Sequence, residues 1–136
     1  LKTGIPSVSE NIHVYSIVGD YLEHGRLFIF DNDCEPEVFL SSADWMPRNL
    51  ERRVEIMFPV DDPKLKERLM GILDMQFSDN VKKHELMPDG TYHKKKEKGS
   101  KRYCCQEDFC RRAEKAADAV GKKTKESRLF VPLESV

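Results

Sequence analysis

Long apolar runs are missing from this sequence. No stretch approaches the roughly 20 consecutive apolar residues that a bilayer-spanning helix needs, and no signal-peptide pattern opens it. Hydrophobic residues make up 39% of the chain against 35% charged, so much of it must be surface. Metal-chelating turns are missing too. The four cysteines, Cys34, Cys104, Cys105 and Cys110, form no CxxC pair, and zinc sites depend on such spacing. A metal site borrowing His84 or His93 is therefore disfavoured, and free thiols in an intracellular protein are expected. Internal repeats are absent. The chain begins at Leu1, without methionine and already within patterned sequence, which reads as a fragment of something larger.

A dominant charge sign is also lacking, since 23 Lys and Arg face 24 Asp and Glu for a net charge of -1. The balance is local cancellation. Residues 94–102 (KKKEKGSKR) carry six basic side chains against one acid, whereas 31–37 (DNDCEPE) is acidic. Without interleaved aromatics, or a helix to place it in a groove, the lysine run 94–101 reads as a solvated, flexible loop. A weak polyanion contact is the most it supports, and no nucleic-acid site is expected. At 136 residues the chain is one domain or part of one, long enough for a core.

What is present alternates between strand-like and helix-like pattern. Residues 12–18 (IHVYSIV) read as a buried strand, with a short helix over 14–23 as the alternative. Further strands are expected at 24–30, 37–41 and 52–59, the last with Val54, Ile56 and Phe58 inward. A hairpin over 31–36 joins the second and third, and residues 42–49 turn through one helical turn. Asp61-Asp62-Pro63 marks a helix start, an acidic cap followed by proline at the first helical position. Leu65, Leu69, Ile72, Leu73 and Gln76 continue it as an amphipathic helix over 63–77. Ser78-Asp79-Asn80 interrupts or recaps that helix before VKKHEL. Pro88-Asp89-Gly90 is a turn, 91–93 an edge strand, 106–120 a final helix ended by Gly121, and 128–133 a short extended segment.

Chemistry concentrates in residues 24–44. The stretch reads His24-Gly25-Arg26-Leu27-Phe28-Ile29-Phe30-Asp31, then a short loop, then Leu40-Ser41-Ser42-Ala43-Asp44. On an extended chain, positions two apart share a face, so His24 and Arg26 should project together, with Phe28 and Phe30 continuing that face into the core. A histidine, a cation two positions on, an acid and a small hydroxyl pair resemble the phospholipase D-type phosphoryl-transfer signature, with Arg26 standing where that signature carries lysine.

Each residue has a structural reading beside the chemical one. His24 could protonate or bind a phosphate oxygen, as imidazoles do near neutral pH; a lone strand histidine is otherwise structural. Arg26 offers a planar fork for phosphate or a salt bridge to Asp44 or Asp31. Ser42 and Asp44 could orient the His24 ring or cap the turn before Pro47. Glu23, on the opposite face, is expected to pair with a surface cation. Asp31 adjoins the hairpin and reads as exposed. Trp45, the single tryptophan, is read as a packing residue, with stacking on adenine as the alternative. Among Arg48, Arg52 and Arg53, Arg48 is the preferred phosphate-binding member.

Several segments together go further. Ser9-Glu10-Asn11-Ile12, Ser16-Ile17-Val18, Tyr21-Leu22-Glu23-His24-Gly25-Arg26 and Ser41-Ser42-Ala43-Asp44-Trp45-Met46-Pro47-Arg48-Asn49-Leu50 occur in order. Glu51-Arg52-Arg53-Val54-Glu55-Ile56 and Pro59-Val60 follow. This set resembles the last catalytic domain of the bacterial polyphosphate kinase that uses a phosphohistidine intermediate, over about residues 5–92 and more loosely Gln106 to Phe109.

The resemblance implies an α/β, phospholipase D-like domain fragment spanning 1–136: a mixed sheet flanked by helices, with a C-terminal helical extension. It implies reversible transfer of the terminal phosphate of ATP to polyphosphate with Mg2+, in a cytoplasmic homo-oligomer that also admits membrane association without a transmembrane segment. The phosphorylated histidine of the family lies in a preceding domain of the same polypeptide. His24 matches the second essential histidine, associated with ATP binding. An arginine the family uses would precede Leu1. Arg26 is then the family's own residue at that position. Two other classes stay open: a phosphodiesterase or nuclease completed by dimerisation, which the arginine argues against, and a non-catalytic fragment that binds polyphosphate or drives oligomerisation.

Overall fold

The computed structural model describes residues 2–94 and 99–123. In chain order these form β1 (Tyr15–Ile17), β2 (Leu27–Phe30), β3 (Glu37–Ser41), α1 (Pro47–Arg52), β4 (Met57–Pro59), α2 (Pro63–Ser78), β5 (Lys83–Leu86), β6 (Tyr92–His93) and α3 (Cys105–Lys123). The expected α/β character holds. The single mixed sheet does not: there are two three-stranded sheets, β1-β5-β6 and β2-β3-β4, and every pairing in them is antiparallel. Parallel strands need a crossover of about a dozen residues or more, and the short connections at 31–36 and 87–91 return the chain directly.

The β2–β3 hairpin forms because Asn32, Asp33 and Cys34 all take positive φ, reversing the chain so that Phe28 faces Phe39 and Ile29 faces Val38. Asparagine and aspartate tolerate this region better than other side chains. Val38, 1% exposed, is the most buried apolar side chain of that sheet. At α2, Asp62 caps as its sequence predicts, accepting from the backbone N–H of Lys64 and Leu65. The turn at Gly90 (φ 86°) is likewise present, with Asp89 accepting from the N–H and hydroxyl of Thr91.

Four expectations change. The second strand begins at Leu27, so His24 and Arg26 precede it on irregular chain. The strand expected over 52–59 is confined to 57–59, because α1, started by Pro47, runs to Arg52, and Val54, Ile56 and Phe58 are all exposed instead of inward, Val54 at 99%. Of the two readings left open at Ser78-Asp79-Asn80, interruption holds and recapping does not: residues 83–86 are a strand. Asp79 draws the N–H groups of Val81, Lys82 and Lys83 onto one carboxylate oxygen, turning the chain so that Glu85 pairs with Tyr15. The last helix continues past Gly121 to Lys123. Part of the lysine run 94–101, and all of the extended segment 128–133, lie outside the described residues.

Buried side chains are few and polar in large part: Thr3, Ser9, Asn49, Asp79 and Gln106 beside Val38, Val60, Cys104 and Cys105. No residue of α2 is fully buried, although its apolar positions keep helical spacing. Polar side chains of α2 and α3, Gln76 and Gln106, fasten the chain between β1 and β2. All four cysteines are free, with Cys104 and Cys105 inside.

Candidate functional site

His24, Arg26 and Asp44 converge. Arg26 Nε donates to Asp44 Oδ1 at 2.7 Å, Arg26 Nη2 lies 2.8 Å from His24 Nε2, and His24 Nε2 lies 3.3 Å from the same Asp44 oxygen. The two flanking residues are carried by the chain leading into β2, and Asp44 by the turn after β3; β2 and β3 are hydrogen-bonded neighbours, which closes the gap of 18 residues. A further backbone bond, Ser41 N–H to Arg26 carbonyl at 3.0 Å, extends that pairing to the site itself.

The chemistry of the contact follows from proton inventory. A guanidinium can only donate, so His24 Nε2 accepts from Arg26 when the ring is neutral, and the ring proton then sits on Nδ1. An imidazolium would instead donate from Nε2 toward Asp44. Arg26 and Asp44 reinforce each other. The hydrogen bond from Arg26 holds the Asp44 carboxyl below the usual carboxylate range, and the bond to Asp44 pushes Arg26 up. The His24 side chain is 64% exposed above these two half-buried partners. The arrangement presents an imidazole edge and a guanidinium to solvent on a fixed carboxylate anchor.

A second layer lies behind the turn. Ser42, expected as a candidate to orient His24, donates its hydroxyl to Glu55 Oε2 at 2.5 Å and accepts from Ile56 N–H at 3.0 Å. Glu55 Oε1 accepts from Asn49 Nδ2 at 2.8 Å, while the buried Asn49 Oδ1 has no hydrogen-bond partner among the described residues. The Ser42 hydroxyl, working against burial and aided by Asn49, holds Glu55 below the usual carboxylate range. These contacts tie 42–49 to 55–56, and so fix the turn that carries Asp44. Of the two orienting candidates, Asp44 reaches the His24 ring and Ser42 is engaged by Glu55.

The other candidates fall outside the cluster. Arg48 lies exposed on α1 and is not a partner of His24, Arg26 or Asp44; Asp31 is exposed at the hairpin. Among the described residues Glu23 meets no cation; it accepts from the side-chain amides of Gln76 and Gln106. Trp45 is 80% exposed, resting one face near Phe28 at 6.3 Å between ring centroids. Its expected packing role is thus one-sided. The contributions of Glu55, Asn49 and Gln106 were not read from the sequence. No periodic or motif signal links Ser42 to a carboxylate thirteen residues on, or Glu23 to an amide 83 residues away. Among the described residues no helix is long and apolar enough to cross a membrane, and no group of three or more His, Cys, Asp and Glu could hold a metal ion.

Comparison with known proteins places this chain in a family. The family model "Polyphosphate kinase C-terminal domain 2" matches residues 1–106. A polyphosphate kinase of Lactiplantibacillus plantarum is 46% identical over 119 residues, covering 88% of this chain and 17% of that protein. Polyphosphate kinase 1 of Chlorobaculum tepidum is 56% identical over 92 residues, 68% of this chain and 13% of that protein. The crystal structure of polyphosphate kinase from Porphyromonas gingivalis superposes with a TM-score of 0.74 at 36% identity, over 85% of this chain and 18% of that one. The chain therefore spans less than a fifth of the length of these relatives.

Proposed function

We propose, since the chain belongs to the polyphosphate kinase C-terminal domain 2 family, that it forms part of an ATP:polyphosphate phosphotransferase. In this reading the chain is a phospholipase D-like C-terminal domain fragment of a cytoplasmic homo-oligomer, and it supplies the second-histidine half of the active site. The phosphohistidine intermediate forms on a preceding domain of the same polypeptide.

The convergence of His24 and Arg26 on one Asp44 oxygen carries the proposal. Phosphoryl transfer makes little covalent demand on the protein beyond positioning and neutralising charge on the transferring oxygens. Arg26 is held at Nε by Asp44, so its remaining N–H groups are oriented for phosphate oxygens. A phosphate drawing Nη2 away from His24 leaves the imidazole edge open to the same anion. His24, when protonated, donates from Nε2 to the transferring group and stabilises the negative charge there. Arg48, exposed on α1, adds to the positive wall that a polyphosphate chain needs.

Magnesium fits as part of the MgATP substrate. Mg2+ is ordinarily held through substrate phosphates with one or two carboxylates, and Asp44, the carboxylate at the site, is committed to Arg26 and His24.

The test is His24→Ala in the whole polypeptide that carries this chain, assayed for ATP-dependent polyphosphate synthesis. Turnover should fall by orders of magnitude, on the scale of losing a preorganised charge-stabilising group. Near-normal synthesis would remove His24 from the mechanism. Hydrolysis of a phosphodiester without ATP would move the chain to the hydrolase class.

A further inference from the structure

His24 sits at the end of a segment with no regular secondary structure. Residues 18–26 are neither helix nor strand, and Leu22, Glu23, His24 and Gly25 are all exposed. Such a segment has no ladder of its own to fix it, yet the site needs His24 Nε2 placed against Arg26 and Asp44. Backbone bonds tie its two ends, Val18 N–H to the Lys82 carbonyl and Ser41 N–H to the Arg26 carbonyl. Lys82 pairs with Asp20, and the middle is gripped by one side chain of α3.

Gln106, in the first turn of α3, is 5% exposed and uses both ends of its amide on this segment. Its Oε1 accepts from the backbone N–H of Asp20 at 2.9 Å and of Tyr21 at 3.2 Å. Its Nε2 donates to the Tyr21 carbonyl at 2.8 Å and to Glu23 Oε1 at 2.8 Å. A carboxamide is the side chain that offers two accepting lone pairs and two donor hydrogens, and all four are spent here. Glu23 is held on its other oxygen by Gln76 Nε2 of α2 at 2.6 Å. Space confirms the fit: a Cβ added at Gly19 would lie 2.1 Å from Gln106 Oε1, so Gly19 is the residue that lets the amide approach.

We propose that Gln106 is a positioning residue for phosphoryl transfer, acting through residues 20–23 to hold His24 against Arg26 and Asp44. The amide substitutes for a neighbouring strand, and α3 thereby becomes part of the active-site scaffold without touching substrate. The inference rests on the proposed role of His24. A misplacement of about 1 Å can cost a hundredfold in rate, so the segment's fastening matters more than its small buried area would indicate.

The experiment uses the whole polypeptide and follows kcat and KM for ATP together with the melting temperature. Gln106→Ala should lower kcat about tenfold or more while KM for ATP changes less than about threefold, because the loss falls on charge stabilisation in the transition state. Gln106→Glu should be equally impaired, since it sets a carboxylate against Glu23. Adding Glu23→Gln to it restores the side-chain contact but leaves the Tyr21 carbonyl facing a carboxylate oxygen, so kcat should recover only in part. Gly19→Ala, which displaces the amide without removing it, should reproduce the kcat loss. An unchanged kcat in Gln106→Ala, or a wild-type kcat in Gly19→Ala, overturns the proposal. His24→Ala measured alongside separates the two readings. If that variant is active the role of His24 fails, whereas an inactive His24→Ala beside a normal Gln106→Ala sinks only the positioning of His24 by Gln106.

Discussion

Removing the Asp79 carboxylate should loosen the joint on which α3 hangs. Asp79 is fully buried, at 0% exposure, between the end of α2 and the start of α3. One oxygen accepts from Val81 N–H at 2.8 Å, Lys82 N–H at 2.6 Å and Lys83 N–H at 3.3 Å; the other accepts from Cys105 N–H at 2.8 Å. Burial opposes the charge, but the backbone donors of Lys82, Cys105 and Val81 outweigh it, and the carboxyl lies below its ordinary range. In Asp79→Asn the amide nitrogen must face one of these donors. Cys105 N–H, the single one on its oxygen, is the least costly choice. One buried donor left unpaired costs about 1–3 kcal/mol, so the variant should lose about 2 kcal/mol. Asp79→Ala strands all four donors and should lose about 4 kcal/mol. At this length each kcal/mol moves the thermal midpoint by roughly 4 °C, which circular dichroism resolves easily. The pH dependence has a definite sign. A carboxyl whose folded pKa is depressed contributes fully above its unfolded value of about 3.9 and loses that contribution as pH falls through the folded one. The gap between wild type and Asp79→Asn should therefore be widest near neutrality and narrow below about pH 4. An Asp79→Ala chain within 1 kcal/mol of wild type, or a gap that widens in acid, would refute this account of the joint.

Thiol chemistry offers a second check. Burial, with Asp79 next to it, pushes the Cys105 thiol up to about 12, and Cys104 is also inside, whereas Cys34 and Cys110 are exposed. A thiol reagent at pH 8 should label two cysteines of the folded chain and four after denaturation; rapid labelling of Cys105 would contradict its burial. Arg26→Lys in the whole polypeptide should cost about tenfold or more in polyphosphate synthesis, because an ammonium cannot bridge Asp44 and His24 with the two arms of one rigid fork. Wild-type turnover in that variant would show that a point charge suffices.

Local signals were legible where one residue sets a local geometry. Asp62-Pro63 started α2, Asn32 and Asp33 reversed the chain at the hairpin, and Gly90 closed its turn. The convergence of His24, Arg26 and Asp44 was half legible. Spacing of two placed His24 beside Arg26, and Asp44 was foreseen both as an orienting group and as a salt-bridge partner. Spacing assigned them to a strand, however, whereas β2 begins only at Leu27. What stayed hidden was long-range and polar. Asp79 reads as an ordinary helix-ending residue, yet its grip on three following amides turns 83–86 into a strand. Glu55 and Gln106 lie in sequence that announces neither partner, because a buried hydrogen bond leaves no periodicity behind it. Val54 shows the converse failure: an alternation of apolar residues that the helix from Pro47 to Arg52 pre-empts.

The predominance of polar groups among the buried side chains has a thermal consequence. Unfolding exposes apolar surface, which raises heat capacity, and polar surface, which lowers it. With five polar residues buried against four apolar ones among the described residues, the two contributions offset each other more than in an oily interior. The stability curve of this chain should be flatter for it, with less curvature between cold and heat. Its coherence depends instead on a handful of directional contacts, each of which is either made or lost. A slipped strand or a rotated α3 would not glide to a neighbouring minimum; it would leave Asp79 and Gln106 facing groups they cannot satisfy.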